Sequence, residues 1–250
     1  MNPLKIDLSI YKKFNFKYPP VGIKYLFDKP EGIKQLDTTN ISFCEMPKEA
    51  GKKGEAFYVT KENDICYGKI TLGMEDPPPF AESGQIGTEL GCFNEPRVNS
   101  RYYLSIPMFK KRTVNYVIFA PLDKINFDPD ILFIAANPTQ FETIMRAMTY
   151  ASGDIYESKF TVVFGCSWLF TYPYQTGKVN YALAALEFGM KGKEVYPEDY
   201  FVISIPYHWT ATITNSLKEM NWTPASYTDG RENFIKREQG ILQDFIKRYT

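Results

Sequence analysis

Residues 41–74 read ISFCEMPKEAGKKGEAFYVTKENDICYGKITLGM and carry two distinctive contexts, Cys44-Glu45-Met46 and Cys66-Tyr67-Gly68. The stretch predicts a strand over 40–43, a turn between basic residues at 51–54, a strand over 56–60 and a helix around 66–72. A weaker copy of this order follows later in the chain. The first unit runs VGIKYLF, ISFCEM, GEAFYVT, DICYGKITLGM, and the second VNYVIFA, ILFIAAN, GDIYESKFTVV, NYALAALEFGM. Setting Gly73-Met74 against Gly189-Met190 puts Cys66 opposite Ala182 and Cys44 near Ala135 or Ala136. The expectation is an α+β fold within one globular unit, 1–250, with two similar, closely packed lobes at 20–110 and 111–206 from an internal duplication. Mixed or antiparallel sheets with flanking helices follow from it. Chance is the competing account, because short apolar runs ending in Gly-Met are common.

Outward from that stretch, residues 21–27 are apolar and β-branched, and Pro19-Pro20 marks the start of a strand there. Residues 74–91, with Asp76-Pro77-Pro78-Pro79 and then Gly84, Gly87 and Gly91, read as a long loop leading to Cys92. A short helix is expected over 97–109, ending at Pro107. Strands are expected at 114–120, 131–135, 160–164 and 201–205, and helices at 140–151 and 182–188. In the segment 207–250, Phe234, Ile235, Ile241, Leu242, Phe245 and Ile246 share a helical face. That predicts a docking helix, capped by Asp229 and weakened by Gly240.

Composition narrows the function. The 250 residues are 44% hydrophobic and 23% charged, an ordinary globular balance, and aromatics reach 16%. Lys plus Arg (29) equal Asp plus Glu (29), so no long-range field draws a polyanion, and nucleic acid is not an expected partner. The start of the chain lacks a signal-type apolar run, and no segment has the ~18 apolar residues of a membrane span. The expectation is a cytoplasmic protein with no membrane partner. In a reducing compartment a chain of this length does not need disulfides.

The four cysteines are separated by 22, 26 and 74 positions, so none forms a Cys-x-x-Cys pair and a zinc ribbon or bacterial ferredoxin motif is excluded. Cys44, Cys92 and Cys166 each follow a strand or a Gly-rich loop, and such ends converge on one edge of a sheet. A thiolate set suits zinc or an iron–sulfur cluster; the alternative is that the thiols are buried packing groups. Glu45 is a candidate acid, base or hard ligand, or else a solvated carboxylate. Lys24 is a candidate for an anion or carbonyl carbon, or else a snorkelling surface lysine. His208, the only histidine, cannot build a multi-His site; it is a candidate single ligand or proton shuttle, or else a packed structural residue. No Walker loop, Gly-x-Gly-x-x-Gly or Gly-x-Ser-x-Gly motif is present.

Pro20-Val21-Gly22-Ile23-Lys24, Cys44-Glu45-Met46, the run Gly54-Glu55-Ala56-Phe57-Tyr58-Val59-Thr60, Cys66-x-Gly68 with Leu72-Gly73, Phe119-Ala120-Pro121-Leu122 and Asn137-Pro138 occur in that order. Over residues 20–206 the chain thereby resembles the domain of unknown function 169, the uncharacterised ArCR group of mainly archaeal and anaerobic bacterial proteins. The resemblance implies that Cys44 and Cys66 match family cysteines and that Cys166 is a third. Another family cysteine falls in the stretch that here reads Asn180-Tyr181-Ala182-Leu183, and this chain lacks it, leaving Cys92 as the substitute. Prevalence among anaerobes favours an oxygen-sensitive cluster. The leading expectation is a metal or iron–sulfur centre on Cys44, Cys66, Cys166 and Cys92, with Lys24, Glu45, Tyr67, Gly68 and His208 as candidate ligand-binding residues. A redox or cofactor-handling role and a small-molecule or redox partner go with it. The rivals are a small-molecule binding protein with structural cysteines, its pocket lined by Tyr172, Tyr174, Tyr207 and Trp209, and an enzyme using Cys66 or Cys166 as nucleophile.

Overall fold

Three apolar runs, YVIFAP, ILFIAA and FVISIP, are hydrophobic at nearly every position, which requires strands covered on both faces. In the computed structural model, which describes residues 1–78 and 80–250, they form the middle of one mixed sheet. Its strands are β1 (Val21–Leu26), β2 (Lys34–Gln35), β3 (Phe57–Val59), β4 (Tyr116–Pro121), β5 (Ile131–Ala136), β6 (Asn180–Leu183) and β7 (Phe201–Pro206). Their order is β2-β3-β4-β1-β5-β7-β6. Every pairing is antiparallel except β2 with β3. Pro79, last residue of the proline run read as loop, lies outside the described residues.

Alternate residues of each strand feed two separate cores. Ile23, Val117, Phe119, Ile131, Phe133 and Val202 point to one. Ile118, Ala120, Leu132, Ile134, Ile203 and Ile205 point to the other. The second core is closed by α5 (Pro138–Ser152), through Ile144, Met145 and Met148, and by α8 (Tyr207–Glu219), through Ile213 and Leu217. A full capping box on Asn137 and Gln140 starts α5. The first core is closed by α1 (Met46–Lys53), by a π-helical turn at Ser167–Thr171 carrying Leu169 and Phe170, and by connecting segments. Helices α2 (Gly68–Thr71), α3 (Gln85–Glu89), α4 (Pro96–Ser105), α6 (Tyr172–Thr176) and α7 (Phe188–Gly192) lie along those connections. Short α9 (Ala225–Thr228) and long α10 (Gly230–Tyr249) end the chain. Among the described residues no helix is long and apolar enough to cross a membrane.

The α+β class is as expected, but the internal duplication is not shown. The stretches 20–110 and 111–206 share one sheet, in which β4 of the second lies between β3 and β1 of the first. Residues 40–43 make only an isolated bridge, Ile41 with Asp64, because the chain turns at Ser42. Residues 160–164 are not a strand either. The carbonyls of the run go elsewhere, Val162 O to Phe188 N at 2.8 Å, Val163 O to the Thr161 hydroxyl at 2.5 Å and Phe164 O to Ser167 N at 2.9 Å, and Phe164 turns into the left-handed region at φ 62°. Residues 182–188, read as a helix, begin as β6 paired with β7, an edge pairing that overrides the helix propensity of Ala and Leu. The loop 74–91 contains α3 and a 3-10 turn, Ala81–Ser83.

The segment 207–250 splits in behaviour. Helix α8 packs on the sheet, whereas α10 has no buried residue, so the docking helix expected at the end of the chain does not dock in the monomer. Asp229 makes no side-chain cap; it pairs with Arg237 at 2.5 Å instead.

Candidate functional site

A pocket of ≈ 140 Å³ opens beside the first core. Three segments distant in sequence bring Cys44, Cys66 and Cys166 to its wall, together with Tyr67 and Gly68. The first is the turn before α1. Glu45 Oε2 accepts from Ser42 N at 2.9 Å and from the Ser42 hydroxyl, a Ser-x-x-Glu arrangement that fixes the turn and holds Cys44 Sγ 3.1 Å from Ser42 Oγ. The Glu45 carboxylate is therefore engaged in local structure.

Asp64 joins this turn to the second segment. Its Oδ1 accepts from Phe43 N at 3.1 Å and Cys66 N at 3.2 Å, and its Oδ2 from Lys69 N at 2.8 Å. One buried carboxylate thus holds the loop of Cys44 and the start of α2 together. Burial raises the Asp64 carboxyl above its usual range, while its three backbone donors pull it back. The junction is close: a Cβ at Gly68 would overlap the Phe43 ring, so only glycine fits.

The third segment arrives through Phe164, which sits in the left-handed region at φ 62°. Its ring stacks edge-on against Tyr67 and Tyr103, at centroid distances of 6.0 and 4.9 Å. That bend turns the chain through Gly165 into Cys166, whose Sγ accepts from Thr71 Oγ1 at 3.6 Å. Gly165 lies against Glu187, where an added Cβ would overlap the side chain. Glu187 is buried and begins α7, its carboxylate accepting from Met190 N at 2.5 Å and Gly165 N at 3.4 Å. Burial raises its pKa, partly offset by those backbone donors.

The remaining wall is apolar, from Ile86 of α3, Leu90 just after it, Val163, Phe164 and Phe188. Leu90 and Phe188 are exposed and stand at the mouth. Asn99 of α4 and Lys193 complete the lining. Helices α3 and α4 pack on one another as a cap, held by Asn99 Nδ2 donating to Gly84 O at 3.0 Å.

All three thiols are disfavoured as thiolates. Burial pushes Cys44 up to about 12, against a stabilising contact from Ser42. Burial also raises Cys66, and raises Cys166 well above its usual value with Cys66 and Cys44 adding to the effect. Among the described residues, however, no three His, Cys, Asp or Glu side chains are disposed to hold a single metal ion.

Other candidate residues lie elsewhere. Cys92, the substitute fourth ligand, follows α3 with its N–H on Gly87 O at 2.9 Å and is not in the pocket lining. Lys24 points across β1 to Asp130, Nζ to Oδ1 2.7 Å, while Asp130 Oδ2 accepts from Tyr25 N at 2.8 Å; it ties β1 to the approach to β5. His208 is exposed on α8, beside Gly177. Tyr172, Tyr174, Tyr207 and Trp209 line no part of this pocket. Sequence reasoning missed Asn99, Glu187, Lys193 and Tyr103. Only Glu187 left a signal, an acidic residue three before the Met190 N–H that it caps.

A seven-stranded α+β fold with a thiol-lined pocket between its connections defines the class of this protein. The chain belongs to the Uncharacterised ArCR family, the domain of unknown function 169, whose pattern matches residues 9–216. It is similar to the uncharacterised protein MJ0308 of Methanocaldococcus jannaschii, 26% identical over 148 residues, which are 57% of this chain. That match spans 63% of the relative's length. No solved structure matches the chain.

Proposed function

We propose that this protein binds a small molecule in the pocket between the Cys44 turn, α2 and the Cys166 segment. The observation that carries the reading is the construction of the pocket: distant segments, closed tightly by Gly68 and Gly165, leave an apolar cavity of ≈ 140 Å³ with few polar groups. Under this reading Cys44, Cys66 and Cys166 are protonated wall groups. Native mass spectrometry of protein purified under anoxia tests it. A non-covalent adduct is expected, retained when all three are changed together (Cys44→Ser, Cys66→Ser, Cys166→Ser). Loss of the adduct in that variant overturns the neutral-wall reading.

A second reading is favoured by the convergence of three thiols on one pocket. Cys44, Cys66 and Cys166, with Cys92 drawn in as a fourth, hold zinc or an iron–sulfur cluster in a redox or cofactor-handling role. It needs side-chain movement from the arrangement described and release of the thiol protons. Iron, zinc and sulfide analysis of the anoxic protein decides it, and colourless, metal-free protein counts against it. A nucleophilic Cys66 or Cys166 is the least supported, because burial raises both thiols and a reactive cysteine needs the opposite.

A further inference from the structure

Of the groups that line the pocket, one carries a charge that the fold leaves unanswered. The three thiols are protonated, and burial raises Tyr67 and Tyr103, so both phenols are neutral. The Glu187 carboxylate is compensated from within the fold. It is 7% exposed, lies against the backbone of Gly165 and Gly189, and accepts from Met190 N and Gly165 N. Lys193, just past α7, differs: it lines the pocket, is exposed, and its ammonium has no hydrogen bond or ion pair among the described residues. Lys191, two positions earlier, has the ordinary surface arrangement and pairs with Glu198 at 3.3 Å. The cation of the lining thus stands free at the mouth, beside an apolar cavity.

That arrangement suits an amphiphile, whose apolar part leaves water inside the cavity while its anion stays at the mouth, where water still reaches it. A cavity of ≈ 140 Å³ is close to the ~150 Å³ of apolar cavities known to hold one aromatic ring. One ammonium matches one carboxylate, and no arginine lines the described pocket to give the bidentate recognition that phosphates draw. We infer that the pocket takes a small apolar acid, of about one ring in size, whose carboxylate pairs with Lys193 at the mouth. This rests on the small-molecule reading above and adds the class of ligand.

The test uses phenylacetate and 2-phenylethanol, which share a ring and a two-carbon arm and differ in that only the first is an anion. Titrations of the full chain are followed by NMR through the amides of Gly68, Gly87, Gly165 and Gly189, which surround the pocket. Phenylacetate is expected to shift these amides and to bind roughly fivefold more tightly than the alcohol, as fits a partly exposed ion pair. The preference should vanish in Lys193→Met, which keeps the apolar stem and removes the charge; the side chain is exposed, so the fold should tolerate the change. Equal binding of acid and alcohol overturns the acid requirement and leaves the pocket reading standing. A preference that survives Lys193→Met overturns the role of Lys193. Failure of both probes to move the pocket amides overturns this inference, while a retained native adduct would still uphold the small-molecule reading.

Discussion

At the scale of single residues, the thiols show how burial sets chemistry. Cys44 is 8% exposed, and removing it from water disfavours its charged form. Its pKa rises from an ordinary 9.0 to about 12 on folding, so the protonated form belongs to the native state. The sign follows from that direction. Its contribution to stability is fully present below pH 9.0 and is lost as pH climbs toward about 12. Cys44→Ala is therefore expected to flatten the alkaline fall in melting temperature, measured under reducing conditions. Parallel curves for the two proteins would contradict it. Element ends in the sequence grouped Cys44, Cys92 and Cys166, and the family resemblance grouped Cys44, Cys66 and Cys166; the pocket lining holds the second set and leaves Cys92 out. Asn99 and Lys193 were not legible. Each reaches the pocket from a connection whose path no local pattern encodes.

At the scale of elements, the junction between the Cys44 turn and α2 depends on Asp64. Asp64→Ala strands the N–H groups of Phe43, Cys66 and Lys69, and is expected to cost about 3 kcal/mol in chemical unfolding. Asp64→Asn keeps an acceptor for two of them and should cost clearly less; equal losses would refute the clasp. The elements themselves divide by what hides their backbone. Strands β4, β5 and β7 were legible because burial on both faces writes a continuous apolar run. Residues 160–164, equally β-branched, form no strand because their carbonyls are claimed by Phe188 N, the Thr161 hydroxyl and Ser167 N. The Phe188 partner lies outside any local window of sequence. The helix expected at 182–188 failed for the converse reason, a neighbouring strand claiming a helix-prone segment.

At the scale of the whole molecule, α10 stands apart. Its face of Phe234, Ile241, Leu242, Phe245 and Ile246 is between 42% and 60% exposed. The amphipathic pattern was legible, but a pattern names a face and not what covers it. A chain ending at Asp229 should keep its melting temperature within about 2 °C, since the helix buries nothing. A larger drop in thermal unfolding would reveal a stabilising contact in solution. The sheet has the opposite problem at its margins, where unpaired backbone invites another strand. One margin is β2, two residues long with Lys34 and Gln35 both exposed. The other, β6, is shielded by Ser158 and Lys159, whose groups bond to Tyr181 O and to the Asn180 side chain. Both ends of the sheet are thus closed to growth, and the fold guards itself against edge-to-edge aggregation.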